Sequence, residues 1–242
     1  MILPNRADAI HKAWLNRILS AVADDSRLVQ YLGFKGGTCA AMRGLIERFS
    51  VDLDFDLMEP EKNHEVGREF EKIFHKLNLE IYDKSSKVPQ YFLKYPSRPN
   101  LRNTIKIDVT FPIPENNEYE PVRFVEIDRI MNCQTVPTMF ANKLVAMMER
   151  HEKYGSIAGR DLFDIHTFFL KGCGFKKEII AERTGKAANN YLRDLKIFIE
   201  KFVTQNVVDQ DLNMLLPPGA FRKNRMILKH EVLMFLSQAT TQ

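Results

Sequence analysis

An alternating run of acidic and apolar residues, SVDLDFDL at positions 50–57, constrains the fold of this chain more than any other feature. Successive side chains of a β-strand point to opposite faces. The run therefore predicts a strand with one apolar face and with Asp52, Asp54 and Asp56 on the other. Asp is depleted in strands, and like charges two residues apart repel each other. A divalent metal ion bound by Asp52 and Asp54 would compensate this charge. The alternative is an edge strand with a solvated acidic face.

A glycine turn precedes the acidic strand. The short apolar segment Tyr31–Phe34 is followed by Lys35–Thr38, with the sequence KGGT. This pattern predicts a strand, a turn and then a helix over Cys39–Arg48 that is capped by Thr38. Backbone N–H groups at such a strand-to-helix turn favour phosphate. Together with the acidic strand, the turn predicts a nucleoside triphosphate site. A GGT sequence taken alone indicates only a turn.

The remaining pattern predicts an α/β front half and an all-α back half. We expect a helix from about Arg6 to Val29, with a break near Asp24–Ser26 as the alternative to a continuous one, and a helix over Glu61–Leu77. Four further strands are expected at residues 79–83, 91–95, 104–111 and 122–127. After Pro137 the pattern is helical, with helices at about 138–152, 161–171, 175–185, 188–205 and 220–238. The sequence therefore predicts an α/β domain over residues 1–134 and a helical domain over residues 135–242.

Composition excludes several classes of protein. Of the 242 residues, 45% are hydrophobic and 27% are charged, which is typical of a globular chain. Cys39, Cys133 and Cys173 form no CxxC or CxxH spacing, which argues against a zinc ribbon or a disulfide scaffold. No apolar run approaches the roughly 18–20 residues that cross a bilayer. We therefore expect a cytoplasmic protein without a membrane partner.

The net charge of +4 is distributed unevenly. Between Lys84 and Ile107 there is no acidic residue, whereas six basic residues alternate with three aromatic ones: Lys84, Lys87, Lys94, Arg98, Arg102 and Lys106, with Tyr91, Phe92 and Tyr95. Such a stretch suits the phosphates and stacked bases of single-stranded RNA. The alternative is a sheet edge protected by lysines. A second basic run, residues 222–225, is expected to open the last helix, where it would oppose the helix dipole. RNA is one candidate for the compensating anion.

Four motifs of the chain resemble those of the nucleotidyltransferase toxins of the AbiEii/AbiGii type, in the DNA polymerase β-like nucleotidyltransferase superfamily. They are KGGT at 35–38, RFSVDLDF at 48–55, KLVA at 143–146 and RDLFDI at 160–165. The resemblance implies an α/β nucleotidyltransferase domain with a mixed sheet, followed by an all-α region. It also implies a toxin of a toxin–antitoxin or phage-defence system, with Mg²⁺ or Mn²⁺ as cofactor and an NTP as substrate. The implied partners are an RNA acceptor, in particular a tRNA 3′ end, and an antitoxin from a neighbouring gene.

The resemblance also implies roles for single residues. Asp52 and Asp54 are expected to bind the metal. Asp108, on another predicted strand, is a candidate third ligand, with a solvated strand carboxylate as the alternative. The residues expected to contact the nucleotide are Gly36, Gly37, Thr38, Ser50 and Arg48. For Ser50 the alternative is a serine that only begins a strand, and for Arg48 a solvated surface position.

Lys143 and Asp161 are the remaining candidate catalytic residues. Lys143 flanks an apolar helical stripe, so a snorkelling lysine is the alternative to a catalytic one. Asp161 falls on the apolar side of its helix and therefore needs a partner, because an unpaired buried carboxylate is costly. We expect it to hold Lys143 or to orient the substrate. Stabilisation of the helix N-terminus is the structural alternative. Asp164 is expected nearer the edge of the same helix.

Two other functions fit part of the pattern. Within catalysis, the nucleotidyl group could be transferred to a small molecule or to a protein hydroxyl. Outside catalysis, a module that binds RNA or a partner protein would retain the fold without activity. Asp52 and Asp54 argue against this second function, because a purely structural role does not require them.

Overall fold

A computed structural model describes residues 1–98 and 101–240, and its strands form one mixed sheet. The strands of this part of the chain are β1 (Leu32–Lys35), β2 (Leu53–Leu57), β3 (Glu80–Lys84), β4 (Gln90–Lys94), β5 (Thr104–Thr110), β6 (Tyr119–Phe124) and β7 (Arg129–Gln134). Their order in the sheet is β3-β4-β5-β2-β1-β7-β6. The pairs β1/β7 and β2/β5 are parallel, and the other neighbours are antiparallel. This confirms the predicted mixed sheet.

Helices surround the sheet and make up the chain after β7. Within the described residues they are α1 (Asp8–Ala23), α2 (Ser26–Tyr31), α3 (Gly36–Met42), α4 (Asn63–Lys76), α5 (Val136–Tyr154), α6 (Gly159–Leu170), α7 (Lys177–Thr184), α8 (Ala188–Phe202), α9 (Gln205–Leu212), α10 (Pro218–Asn224) and α11 (Leu228–Ala239). A hydrophobic core extends from Leu15 in α1 to Leu236 in α11. The division into two domains at residue 134 stays a prediction. None of these helices is both long and apolar enough to span a membrane.

The N-terminal helices differ from the prediction in their ends. The helix predicted from Arg6 to Val29 is broken at the predicted place, near Asp24–Ser26, because the side chain of Asp25 caps α2 by accepting hydrogen bonds from two backbone N–H groups. The helix after the glycine turn begins at Gly36 rather than Cys39 and ends at Met42. Thr38 therefore lies inside α3 and is not its N-cap.

Two predictions about the later chain are wrong. Strand β7 lies in a part of the α/β domain for which the sequence pattern predicts no strand, and its Met131 and Cys133 are buried with the alternation of a strand. The predicted helix 220–238 is two helices, α10 and α11. The basic run 222–225 consequently lies at the C-terminal end of α10, where the helix dipole favours positive charge. Arg225 also forms an ion pair with Asp209, so this run needs no external anion.

The acidic strand is fixed at its start by a buried histidine. His11 of α1 is 1% exposed, its Nε2 lies 2.9 Å from the Val51 carbonyl oxygen, and its Nδ1 lies 2.8 Å from the Tyr95 hydroxyl. Burial lowers the pKa of His11 to about 4, so the ring is neutral at physiological pH. A neutral Nε2–H donates to the Val51 carbonyl. This bond holds the backbone immediately before Asp52 against α1.

Candidate active site

A cleft of about 710 Å³ lies between the sheet and helices α5, α6 and α7. It brings together every residue that was predicted for the site except Thr38. The predicted residues that line it are Gly36, Gly37, Arg48, Ser50, Asp52, Asp54, Asp108, Lys143 and Asp161. Residues that are far apart in the sequence thus face one space large enough for a nucleotide.

Asp52 and Asp54 form the acidic centre of this cleft. Asp54 is the register partner of Asp108 in the parallel β2/β5 pair, so their side chains leave the same face of the sheet on adjacent strands. Burial raises the pKa of Asp54 to about 6, with the charge of Asp52 as a second cause. Burial also raises the pKa of Asp52. Among the described residues, no cation forms an ion pair with either carboxylate.

Asp56, the third acid of the strand, has a different environment. It is 1% exposed, and its carboxylate accepts hydrogen bonds from Lys35 Nζ at 2.6 Å, Tyr119 Oη at 2.7 Å and Gln134 Nε2 at 2.6 Å. These three donors come from β1, β6 and β7. Asp56 is therefore fully compensated by the protein, and it joins three neighbouring strands at the wall of the cleft.

The glycine turn packs directly against the acids. Gly36 has a φ of 75°, and a Cβ built on it would lie 2.2 Å from Oδ2 of Asp54. A Cβ on Gly37 would lie 2.7 Å from Nη2 of Arg48 and 2.8 Å from Oγ of Ser50. Any larger residue at these two positions would push the turn off the acidic strand. Glycine is thus required here by close packing, whatever binds in the cleft.

The sequence predicts that Thr38 contacts the nucleotide, but its side chain does not face the cleft. Its side chain is fully buried, and its hydroxyl donates a hydrogen bond to the backbone carbonyl of Asp52. The difference follows from the early start of α3 at Gly36, which turns position 38 toward the strand. Thr38 thus helps to fix the backbone that carries the acids.

Arg48 is also placed differently from the prediction. Its guanidinium donates to both carboxylate oxygens of Asp164, with Nε–Oδ1 at 2.6 Å and Nη2–Oδ2 at 2.7 Å, and to the Phe49 carbonyl at 2.9 Å. The side chains of Arg48 and Asp164 are 3% and 1% exposed. All three of its nitrogens therefore point at protein acceptors, and its direct contact with a nucleotide stays a prediction. Asp164, expected near the edge of α6, is buried because α5, α9 and α11 all pack against this helix.

Lys143 lies between two carboxylates of α6. Its Nζ is 3.1 Å from Asp161 Oδ1 and 3.1 Å from Asp164 Oδ2, and Arg150 Nε is 3.2 Å from Asp161 Oδ2. Burial disfavours the ammonium, but the two carboxylates outweigh it and raise the pKa of Lys143. Burial likewise opposes the charge of Asp161, and Lys143 and Arg150 outweigh it and lower its pKa. Lys143 is charged at neutral pH and its position is fixed.

Sequence reasoning missed several residues of the cleft. Arg160, at the start of α6, lines it and acts on Asp52 by lowering its pKa. Lys153 of α5 and Arg183 of α7 line it as well. Arg160 and Asp164 stand inside the RDLFDI motif, so the motif was a signal that they matter. The positions of Lys153 and Arg183 depend on how α5 and α7 pack, which no local pattern indicates.

Removal of one partner of the buried Arg48–Asp164 pair should strongly destabilise the fold. We expect Asp164→Asn to lower the free energy of unfolding by about 3–5 kcal/mol, because it leaves a buried guanidinium without its anion. The matched control is Asp24→Asn at the exposed Arg129–Asp24 pair, which should cost less than about 1 kcal/mol. Urea unfolding measures both values. Equal losses for the two variants would contradict this assignment.

We expect the carboxylates of Asp54 and Asp56 to have opposite effects on the stability of the folded chain. Without metal, we expect Asp54→Asn to raise Tm by about 2–4 °C at pH 7.5, or about 1 kcal/mol, since it removes an uncompensated charge. The gain should shrink as pH falls through 6, because protonation then neutralises Asp54 in the folded chain. Asp56→Asn should lower Tm, because Lys35 loses its partner. Differential scanning calorimetry with a chelator tests both, and a loss of Tm for Asp54→Asn at pH 7.5 would refute the first.

Two solved structures resemble this chain in fold. JHP933 from Helicobacter pylori is 20% identical, with a TM-score of 0.61 over 98% of this chain and 94% of that chain. An H. pylori protein described as a nucleotidyltransferase is 19% identical, with a TM-score of 0.60 over 97% of this chain and 98% of that chain. The search of curated proteins gives no match.

The family comparison covers most of the chain. The family model described as "Nucleotidyl transferase AbiEii toxin, Type IV TA system" matches residues 17–225. This range contains the glycine turn, the acidic strand and the helices that carry Lys143 and Asp161. A toxin of such a system implies an antitoxin as its partner. The chain therefore belongs to the AbiEii family of nucleotidyltransferase toxins of type IV toxin–antitoxin systems, and it is a nucleotidyltransferase.

Proposed function

We propose that this enzyme transfers a nucleoside monophosphate from an NTP to the 3′ end of a tRNA, with Mg²⁺ or Mn²⁺ as cofactor. The observation that carries the proposal is the position of two uncompensated carboxylates, Asp52 and Asp54, directly beside the Gly36–Gly37 turn in a cleft that also holds Lys143. Acids, a close-packed turn and a fixed ammonium are what a triphosphate and its metal ion require.

The residues of the cleft fit a divalent cation of this kind. Across residues 1–98 and 101–240, no group of three or more His, Cys, Asp or Glu side chains is arranged to hold a metal ion. Mg²⁺, however, is commonly bound through one or two carboxylates together with substrate phosphates. Burial raises the pKa of both Asp52 and Asp54, and the charge of Asp52 raises that of Asp54 further, so positive charge brought to these carboxylates would be favourable. Asp52 and Asp54 would hold the ion, and the triphosphate would complete its coordination.

Asp108 is the third acid of the proposed site. Its carboxylate forms an ion pair with Lys106 and accepts a hydrogen bond from Gln90 Nε2 at 3.1 Å. It therefore has protein partners that Asp54 lacks. We propose that Asp108 contacts the acceptor hydroxyl or serves as a further metal ligand, since it is the register partner of Asp54.

The reaction forms one P–O bond and breaks another. The acceptor hydroxyl attacks the α-phosphorus, its proton passes to the Asp108 carboxylate, and the bond to the β-phosphate breaks to release pyrophosphate. When bound, the metal ion supplies positive charge that orients the triphosphate and stabilises its developing charge. Lys143 adds a fixed positive charge, because Asp161 and Asp164 keep it protonated and in place. Gly36 and Gly37 allow the phosphates to approach the backbone.

The identity of the acceptor is the second part of the proposal. The cations Arg150, Lys153 and Arg160 line the same cleft, and their charge suits a polyanion. A tRNA acceptor makes the reaction toxic, because a blocked 3′ end cannot be aminoacylated, and it places the action in the cytoplasm. Binding of the antitoxin would then restrain the enzyme. Small-molecule and protein acceptors are the competing outcomes of the test below.

Incubation with labelled NTPs tests this function. Wild-type protein, each α-³²P-labelled NTP, Mg²⁺ and total tRNA are expected to give labelled tRNA. Asp54→Asn should reduce the rate by at least about 1,000-fold, because the site then loses a charge that the metal requires. Lys143→Met should reduce the rate by about 100-fold or more through loss of electrostatic stabilisation.

The matched control for the assay is Asp128→Asn, an exposed acid between β6 and β7 outside the cleft, which should keep wild-type activity. Parallel reactions with total protein and with a small-metabolite extract identify the other acceptors. Label on protein or metabolites but not on tRNA would overturn the acceptor. Absence of any Mg²⁺-dependent transfer or NTP binding would overturn the mechanism.

A further inference from the structure

The two acids of the cleft have different cationic neighbours. Lys35 and Lys143 line the cleft together with Asp54. Lys35 is also the register partner of Asp54 on β1 and begins the glycine turn. The surroundings of Asp54 are therefore those of the proposed triphosphate.

Asp52 faces another side of the cleft. Arg160 of α6 and Lys106 of β5 line the cleft together with Asp52, which directly precedes Leu53, the register partner of Ile107, and so lies beside Lys106. Arg102, in the loop before β5, is linked to the same place, because Tyr95 Oη donates to the Arg102 carbonyl at 2.7 Å and lies 2.8 Å from His11, whose Nε2 lies 2.9 Å from the Val51 carbonyl oxygen. Among the described residues, no carboxylate lies within ion-pair distance of Arg102 or Arg160. Two free guanidinium groups near Asp52 leave room for a second anion, separate from the triphosphate.

The β4–β5 hairpin continues from this side of the cleft. Its outward-facing residues pair in register as Gln90 with Asp108, Phe92 with Lys106, and Lys94 with Thr104. Residues two apart on a strand are about 7 Å apart. These side chains therefore form successive rows that lead from the acids to the end of the hairpin, where Arg102 is exposed.

Aromatic rings accompany the lysines along these rows. The ammonium of Lys106 is 5.9 Å from the centroid of the Phe92 ring, and that of Lys94 is 3.7 Å from the centroid of the Tyr82 ring. Tyr82 is 63% exposed. Each pair offers an ammonium to a phosphate and a ring to a base, the combination by which proteins hold single-stranded nucleic acid.

The structure corrects which aromatic residues of this stretch can stack on bases. Tyr91 and Tyr95 are only 4% and 2% exposed and belong to the core. Lys84 forms an ion pair with Glu71 of α4, outside the cleft, whereas the ion pair of Lys106 is with Asp108, an acid of the cleft itself. We call the surface formed by Tyr82, Phe92, Lys94, Arg102 and Lys106 the hairpin surface.

Acidic residues of β3 limit the direction in which a chain of phosphates can extend over the hairpin surface. Glu80 and Asp83 of β3 are exposed and pair in register with Lys94 and Phe92. They would repel a phosphate chain that continued across β3. The favourable path therefore runs along the hairpin toward Arg102.

We propose that the single-stranded 3′ tail of the RNA acceptor lies along the hairpin surface, with its terminal hydroxyl at Asp52 and Asp108. The inference rests on the proposed function and adds where the acceptor binds. Phosphates of the tail contact Lys94, Arg102 and Lys106, and bases stack on Phe92 and Tyr82. The NTP enters on the other side, next to Lys35 and Lys143.

Steady-state transfer to tRNA tests the placement of the tail. We expect the double variant Lys94→Ala/Arg102→Ala to lower kcat/KM for tRNA by at least about 10-fold while KM for the NTP stays unchanged. The slope of log(kcat/KM) against log[salt] should become shallower by about 1.4, since each contact to a single strand contributes about 0.7. Phe92→Leu keeps apolar bulk but removes the stacking ring, and it should raise KM for tRNA about 5-fold or more.

The matched control is Lys84→Ala/Lys87→Ala, which removes the same charge from the same stretch outside the hairpin surface. It should keep wild-type kinetics and salt dependence. If wild-type enzyme labels tRNA and the Lys94/Arg102 variant behaves like this control, the inference is wrong and the proposed function stands. If wild-type enzyme labels no RNA, both are wrong.

Discussion

The buried ion pair between Arg48 and Asp164 holds the two sides of the cleft together. Arg48 lies directly behind Gly37, in the segment that leads into the acidic strand, and Asp164 belongs to α6. Asp164 also contacts Lys143 of α5, so one carboxylate fixes both the turn and the proposed catalytic ammonium. A buried pair of this kind is costly to desolvate. Its value to the protein therefore lies in the geometry of the cleft more than in net stability.

The acidic strand illustrates how environment divides identical residues. Asp52, Asp54 and Asp56 alternate on one strand and share a face. Only Asp56 is surrounded by donors, and it connects neighbouring strands. Asp52 and Asp54 keep their unfavourable charge, which is a common feature of sites that bind a cation. The strand thus combines a structural acid with two acids whose charge needs a ligand.

Local patterns predicted β2, the glycine turn and the pairing of Asp161 with a cation, because strand alternation and helical spacing depend on near neighbours. The burial of Asp164, the inward orientation of Thr38 and the position of β7 depend on contacts between distant segments. The hairpin surface shows the same limit. Its charges were visible in the sequence, but the burial of Tyr91 depends on the packing of β4 against α4. Strand alternation puts Tyr91 and Phe92 on opposite faces, but it does not indicate which of the two faces packs against α4.

The central claim is that Asp52 and Asp54 hold a divalent ion together with the triphosphate of an NTP. The most direct measurement is a crystal structure with Mn²⁺ and a non-hydrolysable NTP, in which anomalous scattering locates the metal. The account predicts a Mn²⁺ peak bound by both carboxylates and by the triphosphate at the Gly36–Gly37 turn. A nucleotide bound elsewhere, or a triphosphate at the turn with no metal on Asp52 and Asp54, would contradict it.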